Sequence, residues 1–119
     1  MPHFRLETNV PVEKIPKDFA AKICAVLASS LGKPVSFCVA TVVGGVNISF
    51  GGSDAPAAQA TLMSIGGLGP AENKKHSKAL CEIVEKTLGV PSDRIYIHFL
   101  NAATSEVGYR NSTFQEILG

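Results

Sequence analysis

One short phrase occurs twice in this chain: Leu31-Gly32-Lys33-Pro34 and Leu88-Gly89-Val90-Pro91 each end a helical run and open a strand, 57 residues apart. Glycine supplies the left-handed residue that closes a helix, and proline two positions later prevents its continuation. Carried backwards, the same offset lays Pro2 to Glu7 over Gln59 to Ser64. The chain therefore reads as strand-helix-strand twice, over roughly 2–43 and 59–100. Right-handed crossovers make each unit a parallel pair. Two such units side by side predict an α/β (α+β) fold, a four-stranded mixed sheet with two helices on one face and extra short edge strands. A chain of 119 residues holds one such core, so residues 1–119 are expected to form a single domain.

Local patterns fill this frame. Phe4 and Leu6 alternate with His3, Arg5 and Glu7, the period of a half-buried strand. From about Pro16, Phe19, Ile23, Val26, Leu27 and Leu31 recur at helical spacing. Val35 to Val43 reads as a strand, Asn47 to Phe50 as a short one, and Ala57 to Ile65 as a third, weakened by its alanines. A second helix is expected over Ala71 to Leu88, a strong strand over Arg94 to Leu100, and a short strand over Val107 to Tyr109. Both faces of the sheet are expected to carry Phe, Val, Ile and Leu, leaving an uncovered apolar face that self-association would bury.

Charge and composition exclude several classes. Eleven basic against ten acidic residues leave a net charge of +1, so no global field draws nucleic acid or anionic lipid. No apolar run reaches the roughly 18 residues of a membrane span, so no membrane insertion is expected. Arg5 and Glu7 interrupt any signal-peptide core, which makes the Asn47-Ile48-Ser49 and Asn111-Ser112-Thr113 glycosylation patterns chance matches. Cys24, Cys38 and Cys81 are odd in number and without metal-ligand spacing, and read as small buried hydrophobes. No metal or cofactor is implied.

Taken singly, the candidate chemical groups have structural readings that outweigh functional ones. The Gly66, Gly67, Gly69 cluster lacks the Lys-Ser/Thr of a phosphate loop and reads as a plain loop-to-helix turn. His3, His76 and His98 lack a Gly-x-Ser-x-Gly partner and read as surface or strand histidines. Lys33 follows a helix-ending glycine, where cations commonly face the helix dipole. Pro2 suits the opening of a strand, where no N–H is needed. Yet Met1 precedes a small residue, so aminopeptidase trimming would expose Pro2 as a secondary amine. Such an amine starts near pKa ~8, and an apolar pocket beside a second cation lowers that value.

Together, the motifs carry more. Met1-Pro2, Thr8-Asn9-Val10-Pro11, Gly32-Lys33-Pro34, Phe50-Gly51-Gly52-Ser53, Ser64-Ile65-Gly66, Asp93-Arg94 with Tyr96-Ile97, Val107-Gly108 and Asn111-Ser112-Thr113-Phe114 resemble the macrophage migration inhibitory factor family of cytokine-like tautomerases. The related D-dopachrome tautomerases are the near alternative; Tyr96 and the Asn111 to Phe114 run favour the former. The resemblance runs without gaps from Met1 to Phe114. It implies a homotrimer with Pro2 as general base in keto-enol tautomerisation of small aromatic keto acids such as phenylpyruvate or dopachrome-type substrates. It also implies a cell-surface receptor as partner, and a cytoplasmic protein secreted without a signal peptide. Lys33, Ser64, Ile65, Tyr96, His98, Val107, Tyr109 and Phe114 match positions of that family's substrate pocket.

The departures are specific. Ala57 and Ala60 replace the family's Cys-x-x-Cys, so thiol-redox activity is expected to be absent. His98 stands where the family has Asn and Tyr109 where it has Trp, which makes the aromatic clamp smaller. Val12 and Gly45 replace the Arg and Asp of a chemokine-like receptor motif. The second reading is accordingly a cytokine-like receptor-binding protein with a vestigial pocket.

Overall fold

A computed structural model describes residues 1–118. Its core is a four-stranded sheet in the order β2-β1-β3-β4, made of β1 (Pro2–Thr8), β2 (Val39–Val43), β3 (Ala58–Ser64) and β4 (Ile95–Asn101). Within each repeat the strands are parallel, and the two repeats meet through β1 and β3, which run antiparallel from Pro2 opposite Ser64 to Thr8 opposite Ala58. The strands of each unit are bridged by one long helix, α1 (Phe19–Leu31) and α2 (Pro70–Leu88). No helix among the described residues is long and apolar enough to cross a membrane.

Alternation decides which side chains meet the helices. Phe4 and Leu6 on β1 and Ala58, Ala60 and Leu62 on β3 are buried, packed with Phe19, Ile23 and Leu27 of α1 and Leu80 and Val84 of α2. Both helices end as the repeated phrase requires. Gly32 and Gly89 take left-handed backbones (φ 66° and 74°) and return their N–H groups to the carbonyls of Ala28 and Glu85. Neither position tolerates a side chain without strain.

The opposite sheet face corrects the expectation of apolar residues on both sides. Its centre is His3, Arg5 and Glu7 on β1 with Gln59, Thr61 and Met63 on β3. Apart from Met63, its apolar members sit on the flanking strands, where Val39, Tyr96 and Leu100 are exposed. The uncovered surface is thus a mainly polar middle between two apolar margins, each beside a strand edge that is unpaired among the described residues.

Several element boundaries also differ from the sequence reading. Residues 16–18 form a turn, with the Phe19 N–H on the Pro16 carbonyl at 3.0 Å, so α1 begins at Phe19. The expected strand from Val35 starts instead with a 3₁₀ turn over Val35–Phe37, because the Pro34 and Val35 carbonyls accept the N–H groups of Phe37 and Cys38. Asn47 to Phe50 forms no strand; Phe50 and Ser53 exchange two backbone bonds around Gly51 and Gly52. After β5 (Gly108–Tyr109) and β6 (Ser112–Thr113), the described residues close with an unanticipated helix, α3 (Phe114–Leu118).

Replacing Ile23, fully buried in the core, by Ala is expected to cost about 2–5 kcal/mol in urea unfolding. Replacing its neighbour Lys22 by Ala, which breaks only an exposed ion pair with Asp18, should cost no more than about 0.5 kcal/mol. Comparable losses would contradict the assigned helix face.

Candidate active site

The chain start is built into the sheet. Pro2 is the first residue of β1 and is buried. Ser64 faces it across the antiparallel ladder. On the other side, the pairing of His3 with Val39 puts Cys38 at the level of Pro2. A residue lacking an N–H is accommodated here because it opens the strand.

Lys33 reaches this corner from the end of α1. Gly32 turns the chain so that the Lys33 N–H also bonds to the Ala28 carbonyl at 3.1 Å, which fixes where the side chain departs. Its Nζ then donates to the Ile65 carbonyl at 2.7 Å, while the Ile65 N–H donates to the Met1 carbonyl at 3.4 Å. Ile65 therefore ties the ammonium to the chain start through its two backbone groups. Next to it, the buried Ser64 donates its hydroxyl to the Gly66 carbonyl at 2.8 Å, shaping the turn that presents Ile65. Asn101 holds the same turn from β4, its Oδ1 accepting the Gly66 N–H at 3.1 Å.

The electrostatics of the corner oppose charge. The α-amino group of Met1 is held below its ordinary value by burial first and by the Lys33 charge second. The Cys38 thiol is pushed up by burial and then by Cys24, with the amine opposing. An amine here is thus biased towards its neutral form, with a free lone pair, and the thiol beside it is biased towards staying protonated.

An aromatic wall stands nearby. Tyr109 and Phe114 stack with centroids 5.0 Å apart and planes 5° apart, and Phe37 meets both edge-on at 5.9 and 6.1 Å. Val107 anchors the wall through its carbonyl, which accepts the Phe114 N–H at 3.1 Å. Phe37 escapes the sequence reading, and Cys38 enters it only as a small buried hydrophobe, because both fall within the strand expected from Val35; only a turn after Pro34 could have singled them out.

Tyr96 and His98 lie apart from this group. Tyr96 is level with Gln59 and hence with Glu7, five residues along β1 from Pro2, or about 16 Å at ~3.3 Å per residue. It is 71% exposed and leans on Phe50 at 4.9 Å. His98 is exposed on the same open face. Another expectation fails at His76, which is buried on α2 with only 2% exposure rather than lying on the surface or on a strand. The three cysteines are half-buried and free.

Comparison with known proteins identifies the family and the fold. Residues 1–115 match the family model described as macrophage migration inhibitory factor. The chain is similar to the macrophage migration inhibitory factor homologue of Trichuris trichiura, 44% identical over 114 residues that cover 96% of this chain and 100% of that protein. It is also similar to the Mus musculus macrophage migration inhibitory factor, 36% identical over 96% of this chain and 99% of that one. Among solved structures, the Trichinella spiralis macrophage migration inhibitory factor superposes with a TM-score of 0.91 at 40% identity, covering 94% of this chain and 99% of that one.

The amine's environment makes a testable statement about pH. Between its lowered folded value and the ordinary value of about 8, the folded chain binds fewer protons than the unfolded chain, so this group's contribution to stability rises with pH across that window. Replacing Lys33 by Met removes the second cause and leaves burial, so the amine's titration by NMR should move part of the way back up. An unmoved titration would show that the ammonium does not act on the amine.

Proposed function

The chain belongs to the macrophage migration inhibitory factor family, and from that premise we propose that it is a cytokine-like protein with keto-enol tautomerase activity toward small aromatic keto acids such as phenylpyruvate or dopachrome-type substrates. Pro2, freed of Met1, is its general base. The observation that carries this reading is the position of Pro2, buried where β1 opens opposite Ser64, next to the Ile65 carbonyl that takes the Lys33 ammonium.

Each residue has a role in that chemistry. The neutral Pro2 nitrogen takes the proton from the carbon next to the substrate carbonyl; the C–H pair becomes the new C=C bond and the carbonyl π pair moves to oxygen. Pro2 then gives up that proton, directly or by exchange with water, as the oxygen is protonated; this completes the enol and restores the neutral amine, and the reverse sequence regenerates the ketone. Lys33 holds the substrate carboxylate or the developing enolate. Ser64 shapes the turn beneath it. Ile65, Val107, Tyr109, Phe114 and Phe37 receive the aromatic ring and exclude water. Positioned general base catalysis contributes ~10² to 10⁴ in rate, and a preorganised cation can add to it.

Tyr96 and His98 enter this scheme only from a second chain. The unpaired edges of β2 and β4, with Val39, Tyr96 and Leu100 exposed beside them, favour self-association. We place a homotrimer there, each site taking its amine and cation from one chain and its Tyr96 wall from the next. Residence in the cytoplasm and release without a signal peptide belong to the same reading. Ala57, just before β3, and Ala60 within it are buried and offer no thiol pair for redox exchange.

The second reading, receptor binding with an idle pocket, is weighed against at one surface. Position 45 lies against Val12, where a methyl on Gly45 would sit 3.7 Å from a Val12 methyl, and neither residue bears charge. A receptor contact made through an Arg-Asp pair at these two positions is therefore lost.

Inserting one Ala between Met1 and Pro2 displaces the amine and should lower phenylpyruvate turnover by at least ~10². Lys33→Ala should raise KM by the equivalent of about 1–3 kcal/mol, the worth of a charge-assisted contact. Full turnover in the insertion variant would eliminate Pro2 as base.

A further inference from the structure

The histidine buried on α2 has both ring nitrogens engaged. Nε2 lies 2.8 Å from the Gly67 carbonyl and Nδ1 2.5 Å from the Ser30 hydroxyl. A carbonyl only accepts, so Nε2 carries the proton, and in the neutral ring Nδ1 accepts from Ser30. The ring is thus a strut between two elements. Ser30 lies in the last turn of α1, three residues before Lys33, and Gly67 lies two residues after Ile65.

These elements already meet once, through the Lys33 Nζ bond to the Ile65 carbonyl. They also touch closely at Gly67, whose left-handed backbone (φ 76°) packs where an added methyl would sit 3.1 Å from the Leu31 side chain and 4.0 Å from the Lys33 Cε. Chain and hydrogen bonds therefore close a ring: Ser30 to Lys33 along the helix end, Lys33 to Ile65, Ile65 to Gly67, Gly67 to His76, and back to Ser30. Of its hydrogen bonds, the one made by Lys33 belongs to a group that must also bind substrate. When the ammonium turns toward a carboxylate, the bonds through His76 keep the turn in register with the helix end.

We infer that His76, with Ser30, is a positioning residue for Lys33, holding the turn at residues 65–67 against the end of α1 so that the ammonium stays aimed at the amine and the substrate carboxylate. This rests on the tautomerase reading of the site. His76 engages Ser30 and Gly67 with its two ring nitrogens, and its 2% exposure leaves it no solvent-facing role.

The test uses His76→Phe, which keeps the ring's packing near Phe99 and removes both bonds, Ser30→Ala, which removes one, and His76→Gln, whose amide can donate to Gly67 and accept from Ser30. With phenylpyruvate, His76→Phe and Ser30→Ala should raise KM roughly 3- to 30-fold, the effect of one misplaced charge-assisted bond, with kcat within about two-fold. His76→Gln should recover most of that loss. In a Lys33→Met background, His76→Phe should change KM less than about two-fold, since residues acting through one another are not additive. An equal rise in both backgrounds, or a fall in melting temperature with KM unmoved, would overturn the assignment. If His76→Phe does not fold, Ser30→Ala decides by the same criteria. NMR titration of the N-terminal amine gives a readout independent of turnover: it should move upward in His76→Phe in the same direction as in Lys33→Met. A wild-type protein without turnover but with that movement would end the tautomerase reading and uphold the positioning role; no movement would end the latter.

Discussion

The antiparallel pairing of β1 with β3 is the constraint on which the rest depends. It joins the two repeats, and its register is set by burial, because a slip of β1 by one residue would turn Phe4 and Leu6 to the open face and bring Arg5 to the helices. That register puts Pro2 opposite Ser64 and so beside the turn that carries Ile65. It equally puts Tyr96 at the far end of the ladder. One pairing thus gathers the amine and the cation in one corner and sends the remaining aromatic candidate out of reach.

Within the corner, two requirements pull in different directions. Neutrality of the amine is favoured by burial and by a nearby ammonium, whereas burying an ammonium costs free energy unless it is hydrogen-bonded. The Ile65 carbonyl meets the second need at 2.7 Å while keeping Lys33 close enough for the first. The half-buried Cys38 thiol is biased towards its protonated form beside this pair, so it tends not to add an anion that would raise the amine's pKa. Electrostatic balance is maintained by backbone geometry at the end of α1 and the start of the 65–67 turn, the two segments spanned by His76.

Much of this was legible in the sequence, for physical reasons that can be named. The Gly-Pro stops after Leu31 and Leu88 required left-handed caps, and Gly32 and Gly89 adopt them. Period-two alternation in residues 2–8 fixed a face of β1. Pro2, Lys33, Ser64 and Ile65 converge because the repeat places strand ends and helix ends together. What was hidden depended on contacts distant in sequence or on local turns that override propensity. Val35 to Phe37 carries strand-forming residues, yet Pro34 and Val35 accept bonds that curl it into a 3₁₀ turn, concealing Phe37. His76 reads as a polar helix residue because its partners, Ser30 and Gly67, are known only once α1 and the turn are packed. The open sheet face was misjudged because propensity for strand was taken as apolarity on both sides, while β1 and β3 place their polar residues there.

The central proposal is that an amine and cation from one chain and Tyr96 from another make a single site. Subunit complementation tests it most directly. A variant with Pro2 blocked by an inserted Ala and a Tyr96→Phe variant, each first shown to be impaired, are unfolded and refolded together, and light scattering confirms mixed oligomers. Interfaces that join a sound Pro2 to a sound Tyr96 should raise phenylpyruvate turnover clearly above the average of the two parents. Turnover that stays at the parental average in verified mixed oligomers would contradict a site shared between chains.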